Sequence, residues 1–304
     1  MTGLILLKIK WLDTPAEWFF LILDILLVLF IVLNIIDINR FEVRKVQIKT
    51  KKIEAGRKVR FVYLADLHSR KYADNNASLL KAIRDQKPDY IICGGDMMTA
   101  KPGKNNQTAV SFMNSLSKDY VIFYALGNHE HRSRIYPETY GKMYDEYMDA
   151  IRSKNIIVLD NSSVTEDEYG IQITGLTIEK EYYKRFKRIK MPAEYISETI
   201  GNHKDGIYQI MIAHNPEYGD AYFDYGADLF LSGHLHGGII RLPGIGGVAA
   251  PSFHLFPKYS GGLYKSKKDP DKYGYVSCGL GTHTVPMRLF NPGEVTVIDI
   301  VGEE

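Results

Sequence analysis

Beyond residue 58 the chain repeats one event five times: a short β-branched or aromatic run stops abruptly at residue types that bind metals. Val59 to Ala65 runs into Asp66-Leu67-His68, Tyr90 to Cys93 into Gly94-Gly95-Asp96, and Val121 to Leu126 into Gly127-Asn128-His129-Glu130. Tyr208 to Ala213 leads to His214, and Leu229 to Ser232 leads to Gly233-His234-Leu235-His236-Gly237-Gly238. Runs of this kind bounded by glycine are strand signals. Helical stretches separate the early runs, Ala77 to Asp85 behind Asn75-Asn76 and Glu138 to Lys154 behind Pro137. In open α/β sheets the loops at the carboxyl ends of strands converge on one crevice, so distant ligands can meet there. Ile156 to Leu159, Ile171 to Leu176 and Val295 to Ile300 lack long helical spacers and read as antiparallel. The expected fold is α/β, with two packed mixed β-sheets flanked by helices.

The residue types specify the chemistry. Where a strand ends, Asp66 and His68 can both turn to one ion, and carboxylate with imidazole suits manganese, iron or zinc better than calcium. Asp96 adds a carboxylate whose two oxygens can bridge a pair of ions about 3.5 to 4 Å apart. Asn128 offers a neutral carboxamide oxygen, and His214, His234 and His236 offer nitrogens. Together they suffice for two divalent ions with positions left for solvent and substrate.

From Trp18 to Ile36 the chain is apolar apart from Asp24 and Asn34, the length needed for one membrane-spanning helix. No small-residue cleavage site follows, so an uncleaved anchor is expected. Arg40, Arg44, Lys45, Lys49, Lys51 and Lys52 follow the helix, against Lys8 and Lys10 before it, where Asp13 and Glu17 also sit. Positive charge favours the cytoplasmic side, and the catalytic domain is expected there. The expected division is an anchor over 1–40, a basic linker over 41–57 and a catalytic domain over 58–304.

A length of 304 residues accommodates one large domain plus this appendage, and 45% hydrophobic with 24% charged residues argues against long disordered stretches. A net charge of +2 gives no reason to expect a nucleic-acid partner. Cys93 and Cys278 each lie in an apolar run and read as core filling, although a disulfide stays open at this level.

With Asp66-x-His68, Gly95-Asp96, Gly127-Asn128-His129-Glu130, His214 and Gly233-His234-x-His236 in this order, the chain resembles the calcineurin-like metallophosphoesterases. The resemblance covers nearly everything after the anchor. The closing Arg288-Leu289-Phe290-Asn291-Pro292-Gly293-Glu294 resembles the tail of that family's small bacterial membrane-associated branch. The resemblance implies a four-layer sandwich, one metal on Asp66, His68, Asp96 and His236, and the other on Asp96, Asn128, His214 and His234. It leaves His129 for substrate oxygens and the leaving group, as a residue able to supply a proton, with Asp96 and Asn128 beside it in catalysis. Glu130 matches the acidic end of the motif and is expected to orient a histidine. The implied reaction is hydrolysis of a phosphoester or phosphoanhydride by a hydroxide bridging the two ions, on a phosphorylated small molecule or a lipid- or nucleotide-linked substrate at the membrane. Two alternatives share the fold, a protein serine/threonine phosphatase and a non-catalytic membrane scaffold.

Other residues read as ordinary structure. His131, His203, His254 and His283 stand outside the motifs, although His131 and Asn215 are near enough in sequence to reach the crevice. Lys184, Arg185, Lys187, Arg188 and Lys190 form a solvated basic run or a contact for anionic lipid. Pro251 to Tyr264, with Phe253, Leu255, Phe256, Tyr259 and Tyr264, reads as a core-packing loop in preference to an apolar substrate channel.

Overall fold

The computed structural model describes residues 14–184, 189–238, 240–242, 244–248, 255–282 and 286–304. The centre of the basic run, Phe253, His254, His283 and the residues before Thr14 lie outside the described residues.

The first sheet is built from Phe41–Thr50 (β1), Lys58–Leu64 (β2), Tyr90–Cys93 (β3), Val121–Ala125 (β4) and Ile156–Leu159 (β5), and is completed by a strand from the far end of the chain. The second takes Ser162–Glu166 (β6), Ile171–Leu176 (β7), Tyr208–Ala213 (β8) and Leu229–Ser232 (β9). A small hairpin follows, Arg241–Leu242 (β10) with Gly246–Gly247 (β11). Then come Gly262–Lys265 (β12), Tyr273–Val276 (β13) and Gly293–Gly302 (β14). The orders are β1-β14-β2-β3-β4-β5 and β12-β13-β9-β8-β7-β6.

Alternation along the strands creates the layers, because successive side chains point to opposite faces. In β2, Val59, Phe61 and Tyr63 join Ile173, Ile210, Ile212 and Leu231 of the second sheet in a common core between the sheets. Val62 and Leu64 face the other way, onto the helices Ala77–Arg84 (α2) and Gln107–Leu116 (α3), through Leu79, Ile83, Phe112 and Met113. On the far side Tyr195–Ile200 (α7) and Gly219–Tyr225 (α8) cover Met211 and Phe230 with Ile196, Tyr222 and Phe223. The order helix, sheet, sheet, helix is the expected mixed α/β sandwich.

Five local expectations change. β5 runs parallel to β4, because Asn128–Ile135 (α4), Pro137–Tyr140 (α5) and Met143–Ala150 (α6) supply a helical crossover between them. β7 is antiparallel to β6 but parallel to β8, and β14 is antiparallel to β2 but parallel to β1. The helix expected over 138–154 is broken into α5 and α6 at Gly141, whose φ of 61° no right-handed helix accommodates. The stretch read as a basic linker enters the first sheet as β1, paired with β14 from Phe41 opposite Gly293 to Thr50 opposite Gly302. Two of its basic residues engage the folded domain, Arg44 facing Glu294 at 3.3 Å and Lys52 facing Asp228 at 2.8 Å.

Pro15–Asn39 (α1) is capped by Thr14 and Glu17, and it is the one described helix long and apolar enough to cross a membrane. At about 1.5 Å per residue its 25 residues reach about 37 Å. Its last turns are tied to the domain. Asn34 Oδ1 accepts the Arg288 N–H at 2.8 Å, and the buried Asp37 accepts from the Asn291 N–H at 3.1 Å and from Arg40 at 2.8 Å. Cys93 and Cys278 are both free and buried.

Candidate metal centre

All five loops that carry the candidate ligands leave the carboxyl ends of parallel strands, β2, β3 and β4 in one sheet and β8 and β9 in the other. Asp66, His68, Asp96, His234 and His236 adopt φ values of 54°, 49°, 54°, 65° and 51°. Side chains seldom take this left-handed backbone, and such strain concentrates at functional sites. It permits neighbours two apart in sequence to turn inward together. Glycine permits the close approach: a Cβ at Gly233 would collide with the Asp66 carboxylate, and one at Gly127 with Asp96.

Ligand atoms of Asp66, His68 and His236 lie within 4.8 Å of one another, as do those of Asp96, His214 and His234, and those of His68, Asp96 and His129. The first two trios fall within the two expected ligand sets, whereas the third brings in His129, which those sets leave out, and Asp96 belongs to two of the three trios. Its two oxygens differ, however. Oδ1 accepts the His129 N–H at 2.7 Å, whereas Oδ2 stands 3.7 Å from His68 Nε2 and 3.1 Å from His214 Nε2. A single oxygen, rather than both, therefore faces the two groups. Asp66 Oδ1 is likewise 3.4 Å from His236 Nε2, 3.8 Å from His68 Nε2 and 3.7 Å from His214 Nε2.

The donor set fits divalent cations. His68 Nε2 and His236 Nε2 face each other at 3.2 Å, an approach natural for two lone pairs sharing an ion. Asn128 Oδ1 is buried and has no hydrogen-bond partner, a costly state that a cation would relieve. His214 Nδ1 lies 2.7 Å from the Gly94 carbonyl, so the proton belongs on Nδ1 and the Nε2 lone pair is presented to the site. The His236 ring faces the Gly281 carbonyl in the same way, at 3.3 Å.

Without cations the two carboxyls diverge. Burial pushes Asp66 up to about 7 despite His214, with Asp96 adding to the rise. Burial also opposes ionisation of Asp96, but His214, His129 and His68 hold it well below the usual carboxylate range. Burial disfavours charge on His214, yet the adjoining Asp96 carries it up to about 10. A metal-free pocket thus retains protons that a cation must displace.

Glu130 does not orient a histidine. Its carboxylate accepts the backbone N–H of Asp96 at 2.8 Å, of Met97 at 2.9 Å and of Gly127 at 3.1 Å, and the Tyr124 hydroxyl at 2.7 Å. It fastens the Asp96 loop to the Asn128 loop from beneath. Burial and Asp96 push its carboxyl up to about 7 against the pull of these donors.

Sequence reasoning missed Tyr183, whose ring meets His234 edge-on at 5.1 Å between centroids. Asn215 holds that segment by donating to the Tyr182 carbonyl at 3.0 Å. His131 is a buried residue of α4, and His203 lies away from the site beside Tyr225. Tyr259 joins the core as expected of the aromatic loop, but Leu255 and Phe256 are exposed.

Residues 59–238 match the model of the calcineurin-like phosphoesterases, a span that holds every loop just described. The chain belongs to this family. It is accordingly a metal-dependent phosphoester hydrolase. An uncharacterized metallophosphoesterase of Campylobacter jejuni is 28% identical over 274 residues, covering 86% of this chain, which spans 64% of that relative's length. One from Aquifex aeolicus is 26% identical, covering 86% of this chain and 92% of its own. The Escherichia coli protein named phosphodiesterase YaeI is 24% identical, covering 80% of this chain and 82% of its own.

Proposed function

We propose that the chain hydrolyses a phosphodiester or phosphoanhydride of a lipid- or nucleotide-linked substrate at the membrane, using Asp66, His68, Asp96 and His236 for one ion and Asp96, Asn128, His214 and His234 for the other. The observation that carries this reading is Asp96 Oδ2, set between His68 and His214 while Oδ1 is tied to backbone. The phosphodiesterase name of the Escherichia coli relative favours a diester. Helix α1 supports action at a membrane, and the exposed Lys45 and Lys51 beyond it favour the cytoplasmic side. The catalytic unit then begins at β1, with α1 as its anchor.

When bound, a pair of divalent ions supplies Lewis acidity, polarising the phosphoryl group and making attacking water more acidic. The protein holds and orients. His129 Nδ1 accepts the Ala100 backbone N–H at 2.8 Å, which assigns the ring proton to Nε2. Nε2 lies 4.0 Å from Asp96 Oδ2, which puts the ring beside the oxygen that faces His68 and His214. This favours His129 as a hydrogen-bond donor to the phosphoryl or leaving oxygen; surrendering that proton outright would leave an anionic ring.

The test is turnover of bis- and mono-aryl phosphates and of a lipid pyrophosphate by the purified full chain loaded with manganese, iron or zinc. Diester or anhydride turnover that Asp96→Asn eliminates is expected; activity on monoesters alone would overturn the diesterase reading.

A further inference from the structure

Outside α1, the exposed large aliphatic and phenylalanine side chains of the described residues are Val158, Ile245, Leu255, Phe256, Leu263 and Phe290. All but Val158 belong to the described residues of 245–248 and 255–263 or to 286–291, which lie toward the docked end of α1. Phe290 precedes Asn291, which Asp37 of that helix holds. Arg241 of the hairpin donates its N–H to the Leu289 carbonyl at 3.0 Å, and Phe256 donates to Val248 beyond β11 at 2.9 Å. Ile245, at the hairpin tip, and Leu255 are 64% and 68% exposed. Dispersed exposed apolar residues are ordinary, whereas a contiguous group marks a contact surface.

Backbone strain points the same way. Phe256 and Phe290 have φ of 49° and 54°, a region unfavourable for a bulky residue, and both are at least half exposed. Two phenylalanines held in strained backbone with no core to fill imply a surrounding other than water. Ile245, Leu263 and Phe290 border a groove of about 480 Å³ that Arg44 and Arg241 also line. Arg44 lies five residues beyond the last residue of α1. Lys258 lines it too but is neutralised by Asp220 at 2.6 Å. An apolar rim continuous with the docked end of α1 complements a lipid surface, where aliphatic and aromatic tips enter the headgroup region. Arg44 is itself paired with Glu294 at 3.3 Å, and the Arg241 guanidinium donates to the Gly261 carbonyl at 2.9 Å, so the apolar tips carry the contact.

We propose that the hairpin tip, the 255–256 turn and Phe290 form a second membrane contact, which seats the domain on the bilayer beside α1. The proposal rests on α1 being a membrane span. It bears on the substrate because Asn291 donates to the carbonyls of His236 at 2.6 Å and Gly238 at 2.7 Å. The face that meets lipid is therefore built onto the Gly-His-x-His loop, and phosphoesters presented at the lipid surface lie near the metal ligands.

Cys93 and Cys278 are buried, so a thiol-reactive environment-sensitive dye can be directed to one introduced cysteine in the full chain. Variants Leu255→Cys, Ile245→Cys, Leu26→Cys in α1 and Val158→Cys would each be labelled and reconstituted in phosphatidylcholine–phosphatidylglycerol vesicles, with lipid spin-labelled near the headgroup to read positions 245, 255 and 158 and lipid spin-labelled near the acyl-chain end to read position 26. Loss of emission at 245 and 255 together with 26, and retained emission at 158, is expected. Quenching at 26 with bright emission at 245 and 255 overturns the second contact while leaving the anchor intact. Bright emission at 26 as well overturns the anchor and the contact with it. A lipid-independent emission shift at 255 that grows with protein density assigns the face to a second copy of the chain and also overturns the proposal.

Discussion

Oε2 of Glu130 accepts the backbone N–H of Asp96 at 2.8 Å, so the residue that presents an oxygen to both groups of ligands is held by a carboxylate on the next loop. Replacing Glu130 by Gln keeps the shape and sets an amide NH2 against N–H groups that need an acceptor. Hydrogen bonds to charged groups contribute about 1.5–3 kcal/mol each, and a buried donor left unpaired costs about 1–3 kcal/mol. Glu130→Gln should lose on the order of 3 kcal/mol in chemical denaturation and retain less metal after dialysis. A variant as stable and as fully loaded as the parent would remove Glu130 from the site's framework.

His129→Ala should lower kcat by about 10² to 10³ on an aryl diester, the range for removing one donor to a reacting oxygen. Metal content, by elemental analysis, should stay at the parent level. If His129 acts only as a donor, the loss should be similar for good and poor leaving groups. A defect confined to poor leaving groups would instead assign it full proton transfer.

Metal uptake should release protons in a pH-dependent way. The Asp66 carboxyl, up to about 7 without cations, is protonated below that value and ionised above it. Its proton therefore has to be displaced at pH 6 but is already gone at pH 8. His214, carried up to about 10, is protonated at both and contributes equally. Titration calorimetry in buffers of different ionisation enthalpy should show more protons released per chain at pH 6, with affinity falling as pH drops through 7. Equal release at the two pH values would contradict this.

Asn291→Ala deletes two hydrogen bonds to the His236 and Gly238 carbonyls. At about 1 kcal/mol apiece, plus the cost of stranding buried carbonyls, the expected loss is about 2–4 kcal/mol. The loop carrying His236 should bind its ion more weakly. Unchanged stability and unchanged metal retention under chelator challenge would refute the role.

The legible part of the sequence was local. Strands that stop at Asp66, Asp96, Asn128, His214 and His234 reveal themselves because ligand types follow the apolar run at once or after one or two glycines, and the structure brings Asp66, Asp96, His214 and His234 into interlocking groups with His68 and His236. What escaped was carried by distance in sequence. Asn34 and Asp37 look like blemishes in an apolar helix, yet each serves a partner 254 positions away. The edge strand β1 was concealed because four of its ten residues are basic or acidic and its partner lies at the opposite end of the chain. Glu130 was placed in the right neighbourhood but given the wrong partner, since no side-chain pattern records a bond to backbone amides.

The division of ligands between the sheets has a mechanical consequence. Three of the five loops leave the first sheet and two leave the second, so cations shared between them would rivet the sandwich shut at one rim. Stripping the ions should let the halves part there first, with amide exchange quickening at the ends of β2, β3, β8 and β9 in concert while the opposite rim stays protected.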